Sequence, residues 1–400
     1  MLCVGNFIYC GHKAFFRMYR LPFLLFISFF FGSNAFAQDL NYAKKTINTL
    51  TSKKYWGRGY TKDGMGKAAN YIEKEFRSFG LVPISSNDFK QGFSFAVNTF
   101  PSKMEVKLDG RKLIAGKDFI VHQASKGISI TDSLVKKDSL TYLGKSGSIA
   151  ISLQPKLTWS VSQKVLDYTI IEISQKAVIT NPTVIKVDVE NRLEPNFKAA
   201  NVLAMVKGTA KPDSMIVFTA HYDHLGGMGE QIYFPGANDN ASGIAMLLNL
   251  AKYYAANPPK YSIVFIAFAA EEAGLLGSKY FTENPLFPLQ NIRFLWNLDL
   301  LGNGDAGATV VNATIHPQEF ALLNKINAEH KYLTKINPRG KAANSDHHFF
   351  TEKGVPAFFL YTQGGSPAYH DVDDIAKKLP LTAFENLFKL FIKFNTVLIH

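Results

Sequence analysis

The strongest constraint on this chain is a rhythm in its second half. From Asn201 onward, short apolar segments alternate with helix-like ones. Val202–Val206, Met215–Thr219, Ser262–Phe268, Ile292–Leu298 and Ala357–Tyr361 read as strands, and Ser242–Tyr254 and Leu381–Val397 as helices. Several strands are almost wholly apolar, as expected where helices cover both faces of a sheet. The alternation predicts an α/β fold with a mostly parallel or mixed central sheet flanked by helices. The C-terminal helix is amphipathic, with phenylalanines on the side expected to face that sheet. Further upstream, residues 39–80 are mostly helical in pattern, and a less regular stretch runs to Phe95. Within it, Ala68, Tyr71, Ile72, Phe76 and Phe79 follow helical spacing up to a capping Gly80.

Residues 101–195 differ. Short alternating runs rich in Val, Ile, Thr and Lys (Met104–Leu108, Gly147–Leu153, Tyr168–Ile173, Val184–Val189) predict an inserted β-rich region. The expected division is therefore a leader at 1–37, an N-terminal helical part at 38–100, the insert at 101–195 and the core at 196–400.

Composition matters mainly for what it excludes. With 47% hydrophobic and 13% aromatic residues, the 400-residue chain is no disordered tail. Two cysteines make neither a disulfide scaffold nor a Cys-rich zinc cluster. Both cysteines, Cys3 and Cys10, fall in the leader, where Lys13, Arg17 and Arg20 precede an apolar run from Leu21 to Phe31 and the tripeptide Ala35-Phe36-Ala37. That is the layout of a cleaved export signal, with Met18 an alternative start. The apolar run is about half of the roughly 20 residues a membrane span needs. Cleavage after Ala37 removes three basic residues and no acidic one, so the formal charge falls from +12 to +9. No cysteine follows to carry a lipid, so the expectation is an exported, periplasmic or extracellular protein without a stable membrane anchor. The remaining lysines are scattered, with no aromatic-interleaved basic stretch to suit nucleic acid.

Chemistry-bearing residues collect where the predicted strands end. His221, Asp223 and His224 follow one strand, and a glycine-bounded turn, Gly236–Gly243, carries Asp239. Glu271 and Glu272 follow a second strand, Asp299 a third, and His370 comes after the last. In open α/β sheets that edge is where ligands bind. Taken singly, each has an ordinary reading: a histidine as a loop hydrogen bonder, Asp239 as a helix cap. Adjacent carboxylates emerging from an apolar strand are harder to dismiss, because like charges repel unless a cation compensates them.

Two histidines and three carboxylates, without thiolates, suit zinc or a similar divalent ion. They are too many for one open tetrahedral site. Two ions sharing one carboxylate use them all: His221, Asp239 and Asp299 on the first, and Asp239, Glu272 and His370 on the second. A water bridging such a pair becomes a strong nucleophile while the metals polarise a carbonyl. Glu271, free of metal, is then the natural general base. Asp223 is placed to orient a ligand imidazole, and Tyr369 to donate to a developing oxyanion.

At this point the sequence resembles the secreted co-catalytic di-zinc aminopeptidase family, zinc exopeptidases related to glutamate carboxypeptidase and glutaminyl cyclase. The resemblance rests on Thr219–Gly226, Gly236–Gly243, Ala269–Ser278, Asn297–Asp299, Ser345–His347 and Tyr369–His370, in family order, with a weaker match at Gly57-Arg58 and Gly64–Leu81. It implies the ligands named above, Glu271 as base, Tyr369 as oxyanion donor, and free peptide or protein N-termini as substrate. Phe349 and His370-Asp371-Val372 depart from the family pattern, although Asp374 keeps a downstream acid; these changes concern the substrate pocket. The insert occupies the place of a protease-associated domain, with a weak match. Three relatives offer other functions. A glutaminyl cyclase usually has Trp where Tyr369 stands; a receptor-like relative loses ligands or base, which this chain retains. A carboxypeptidase needs a cation for the substrate terminus; Arg339, beside Gly340, reads either as such a cation or as a solvated loop residue.

Overall fold

In the computed structural model of the chain, residues 8–11, 39–84 and 88–399 are described. The expected export signal at 1–37 lies almost wholly outside them. No helix among the described residues is long and apolar enough to cross a membrane.

An eight-stranded mixed sheet organises residues 90–362. Its strands run across the sheet in the order Lys90–Thr99, Arg192–Val206, Tyr261–Phe268, Lys211–His221, Ile292–Leu298, Ala357–Thr362, Ala308–Val311 and Ile336–Pro338. The four from Tyr261–Phe268 to Ala357–Thr362 are mutually parallel. Every residue of Tyr261–Phe268 is buried, which explains why this strand reads as a continuous apolar run. One face packs on helices Gly243–Ala256 and Phe384–Leu398. The other is covered by a separate apolar cluster that includes Phe281 and Phe350.

The C-terminal helix shows how sequence spacing becomes packing. Phe384, Leu387, Phe388, Phe391 and Phe394 recur at three and four residues and are all buried. Phe391 meets Trp296 edge-on at 4.9 Å and Phe218 at 6.1 Å, contacts that favour T-shaped geometry.

Lys90–Thr99 corrects the helical expectation for 38–100. It is an edge strand, paired antiparallel with Arg192–Val206 from Lys90↔Val202 to Thr99↔Arg192. Its mixed burial leaves only a faint alternation, so the pattern looked irregular. This ribbon leads out to a second eight-stranded sheet spanning residues 104–189. Ile149–Gln154 and Thr169–Ser174 alternate buried and half-buried residues, the pattern of a sheet with one covered face. Its core also takes in Leu225, Met228 and Phe234 from the loop after the Lys211–His221 strand. Trp159 stacks on Phe234 with ring centroids 4.7 Å apart. The two sheets are thus joined by shared packing as well as by the chain.

Phe391→Ala should cost about 3–5 kcal/mol of unfolding free energy, read as a lowered denaturant midpoint at unchanged slope.

Candidate metal centre

Parallel strands deliver their C-terminal ends to one edge, and the expected residues meet there. His221 ends its strand, Asp299 follows Ile292–Leu298, and Glu271 and Glu272 sit on the turn after Tyr261–Phe268. Asp239 lies on the turn entering Gly243–Ala256, and His370 on the loop after Ala357–Thr362.

Their donor atoms form two groups that share Asp239. His221 Nε2 lies 3.3 Å from Asp239 Oδ1 and 3.4 Å from Asp299 Oδ1. His370 Nε2 lies 3.0 Å from Asp239 Oδ2 and 3.2 Å from Glu272 Oε2. Ligands about 2.0–2.1 Å from a tetrahedral ion sit roughly 3.3 Å apart, so both spacings suit a divalent ion. Asp299 Oδ1 is buried without a hydrogen-bond partner, and a cation is what such an atom lacks. The donor set fits.

The imidazoles are oriented by carbonyls. His370 Nδ1 lies 3.0 Å from the Trp159 carbonyl and His221 Nδ1 3.3 Å from that of Asp223. A carbonyl only accepts, so each Nδ1 carries a proton and Nε2 is the nitrogen turned toward the carboxylates. The expected bond from the Asp223 carboxylate to His221 is not made: Oδ1 stands 3.8 Å from Nδ1, beyond hydrogen-bond range. That fully buried carboxylate accepts the backbone N–H groups of Glu271 and Glu272 at 3.1 and 3.2 Å. Asp223 therefore holds the acidic turn, and its main chain holds the histidine.

Other supports escaped the sequence reading. His224 Nδ1 donates to Glu272 Oε1 at 2.7 Å, leaving Oε2 for His370. Ser345 donates to Asp299 Oδ2 at 3.1 Å while accepting from Asn297 at 2.8 Å. The Asp374 carboxylate accepts the N–H groups of Asn238 and Asp239. Gly236 has a positive φ of 59°, and a Cβ there would meet the His224 ring at 2.4 Å. His224 had a visible signal, a second histidine in the same tetrapeptide; the loop-to-loop contacts of Asp374 and Trp159 had none.

The least foreseeable support is Arg58. Fully buried, it donates to the carbonyls of Leu50, Tyr222, Pro235, Gly236 and Asp239 at 2.8–3.2 Å. It ties the His221 and Asp239 loops together and sets a positive charge behind the carboxylates. Burial lowers its pKa to about 10, while Asp239 and Asp374 act to raise it, so it stays charged.

Electrostatics at the centre are severe. Burial, Glu272 and Asp346 push the Glu271 carboxyl well above its usual range, against the pull of His221. Burial would also raise Glu272, yet His370 and His224 bring it down to about 2. Burial would lower His370, yet Glu272 and Asp239 push it up to about 11. Such a pocket demands positive charge. A cavity of about 310 Å³ opens over it, lined by Glu271, Tyr369, Leu300, Phe359, Tyr361, Asn344 and Arg339 together with the histidines. Tyr369 stacks on His370 at 4.0 Å.

Arg58→Met should orphan the carbonyls it serves, lowering unfolding stability by about 3 kcal/mol or more. It should also weaken metal binding about tenfold or more, read by calorimetric titration with Zn²⁺.

Residues 201–395 match peptidase family M28. A probable zinc metalloprotease of Pyricularia oryzae is 37% identical over 117 residues, covering 29% of this chain and 23% of the relative. Aminopeptidase YwaD of Bacillus subtilis is 30% identical over 188 residues, covering 45% and 40%. The matches thus span well under half of those curated relatives. The solved aminopeptidase from an Aneurinibacillus species overlays with a TM-score of 0.62 at 22% identity, covering 90% of this chain and 94% of that one. That likeness shows a shared fold, α/β with large mixed sheets flanked by helices. The family match covers residues 201–395, the stretch that carries His221, Asp239, Glu271, Glu272, Asp299 and His370.

Proposed function

We propose that this protein is a zinc-dependent aminopeptidase that releases N-terminal residues from peptides. The observation that carries the reading is a pair of three-donor groups sharing Asp239, with Glu271 lining the same cavity beside them. Relatives named zinc metalloprotease and aminopeptidase support it.

Two Zn²⁺ ions, one held by His221, Asp239 and Asp299 and the other by Asp239, Glu272 and His370, would supply Lewis acidity for the peptide carbonyl and acidify the attacking water. Glu271 takes the proton released as water attacks and returns it to the leaving amine. Tyr369 donates from its phenol to the carbonyl oxygen as negative charge develops there. Partial burial and the nearby carboxylates, Asp239 foremost, push the Tyr369 pKa up. Tyr369 in place of tryptophan, beside a full ligand set, favours hydrolysis over cyclisation of N-terminal glutamine.

The leader at 1–37 supports export to the periplasm or outside the cell. Expression in a bacterial host should yield a mature chain beginning at Gln38 by N-terminal sequencing; an intact leader on correctly exported protein counts against cleavage.

Peptides with free, acetylated or glutaminyl N-termini separate the functional readings by mass spectrometry. Shortening of free-amine peptides alone is expected; shortening of acetylated ones indicates a carboxypeptidase, and loss of ammonia a cyclase. Chelation should abolish turnover and Zn²⁺ restore it. Glu271→Gln should keep its zinc by metal analysis while losing at least about a hundredfold in kcat; near-normal turnover would remove Glu271 from the mechanism.

A further inference from the structure

The cavity above the carboxylates has two ends, and the sheet order tells them apart. Glu271 rises from the turn after Tyr261–Phe268. Crossing the sheet from there come His221, then Asp299, then the strand bearing Phe359 and Tyr361. Arg339 lies beyond them all, next to Ile336–Pro338. The leaving amine must lie beside Glu271, which protonates it. The first residue, on the acyl side of the scissile bond, therefore extends the opposite way, past Asp299 and Leu300 toward Phe359, Tyr361 and Arg339.

That far end has a particular chemistry. Leu300 and Phe359 give it apolar walls, and Asn344 an amide donor. Arg339 is the cavity's permanently charged cation. Its backbone N–H is fixed by the Val310 carbonyl at 2.9 Å. Its Nη1 donates to the Tyr361 hydroxyl at 3.4 Å. Among the described residues no carboxylate pairs with it, and the acid on the nearby helix, Glu352, is taken by Lys341. A guanidinium with most of its donors free suits bidentate capture of a carboxylate.

We propose that Arg339 is a specificity-determining residue that selects substrates whose first residue is acidic, glutamate above all. The inference rests on the aminopeptidase reading and deepens it. Glutamate's methylenes would pack along Leu300 and Phe359 while its carboxylate meets the guanidinium and the Asn344 amide. Glutamine, of the same shape, lacks the charge.

The test compares kcat/KM of the zinc-loaded full chain on Glu-Ala-Ala, Asp-Ala-Ala, Gln-Ala-Ala, Leu-Ala-Ala and Lys-Ala-Ala. Glutamate should exceed glutamine by about threefold or more, because Arg339 is exposed and solvent screens its pairing with a carboxylate. Arg339→Gln should bring that ratio to about one, and Arg339→Glu should tilt the panel toward lysine. Thermal unfolding verifies that both variants fold. Calorimetry supplies a readout apart from turnover: free L-glutamate should bind more tightly than L-glutamine to the parent protein, with the difference lost in Arg339→Gln.

Equal turnover of Glu-Ala-Ala and Gln-Ala-Ala, or a ratio unmoved by Arg339→Gln, overturns the proposal. So does a variant whose lost preference is for Leu-Ala over Leu-Ala-amide, because the guanidinium would then read the substrate's C-terminus. If Leu-Ala-Ala is cleaved without acidic preference, this inference alone falls. If no free-amine peptide is cleaved, the aminopeptidase reading falls with it.

Discussion

Carboxylates crowded into a buried pocket repel one another, and the rest of this structure resists that repulsion. Asp239, Glu271, Glu272 and Asp299 converge beside two imidazoles with little solvent to screen them. The protein answers from behind. Asp223 and Asp374 accept backbone N–H groups from the turns bearing Glu271, Glu272 and Asp239. Ser345 and His224 each occupy one oxygen of a carboxylate and leave the other for the centre. Arg58 lends a full positive charge while satisfying five carbonyls. An unpaired buried arginine would be costly; here the partial charges of the loops it binds offset that cost.

What was legible in the sequence follows the same logic. Strands covered on both faces are apolar throughout, so Tyr261–Phe268 and Ile292–Leu298 could be read nearly to the residue. The chemistry-bearing residues sit at strand ends, where rhythm and residue type coincide, and His221, Asp239, Glu271, Glu272, Asp299 and His370 were visible for that reason. Lys90–Thr99 was not, because an edge strand in contact with solvent has little pattern to display. Nor was Arg58 legible in its role, since its partners are main-chain carbonyls from distant loops. A carbonyl has no sequence signature. For the same reason the position of Asp223 was clear but its bonding was not: main chain and side chain exchanged tasks.

The insert, too, looked separable in sequence. In the folded protein its core continues into the loop that follows His221, through Leu225, Met228 and Phe234. Lys156 donates to the carbonyls of Pro367 and Tyr369 and pairs with Asp371, gripping the loop that bears His370. Between Trp159 and His370 the contact is reciprocal: the Trp159 N–H donates to the His370 carbonyl at 2.9 Å, and His370 Nδ1 donates back at 3.0 Å.

That exchange makes the second sheet a partner in a thermodynamic cycle. His370 presents Nε2 to Asp239 and Glu272 while the Trp159 carbonyl holds the opposite ring nitrogen. Whatever draws the 156–159 segment away loosens one of the two donor groups, and whatever fills that group steadies the segment by an equal free energy. A ligand or crowding partner on the insert's surface, far from any substrate, would thereby acquire leverage over the occupancy of the metal position that His370 completes. Asp239, shared by both donor groups, carries part of that leverage on to the position formed by His221 and Asp299.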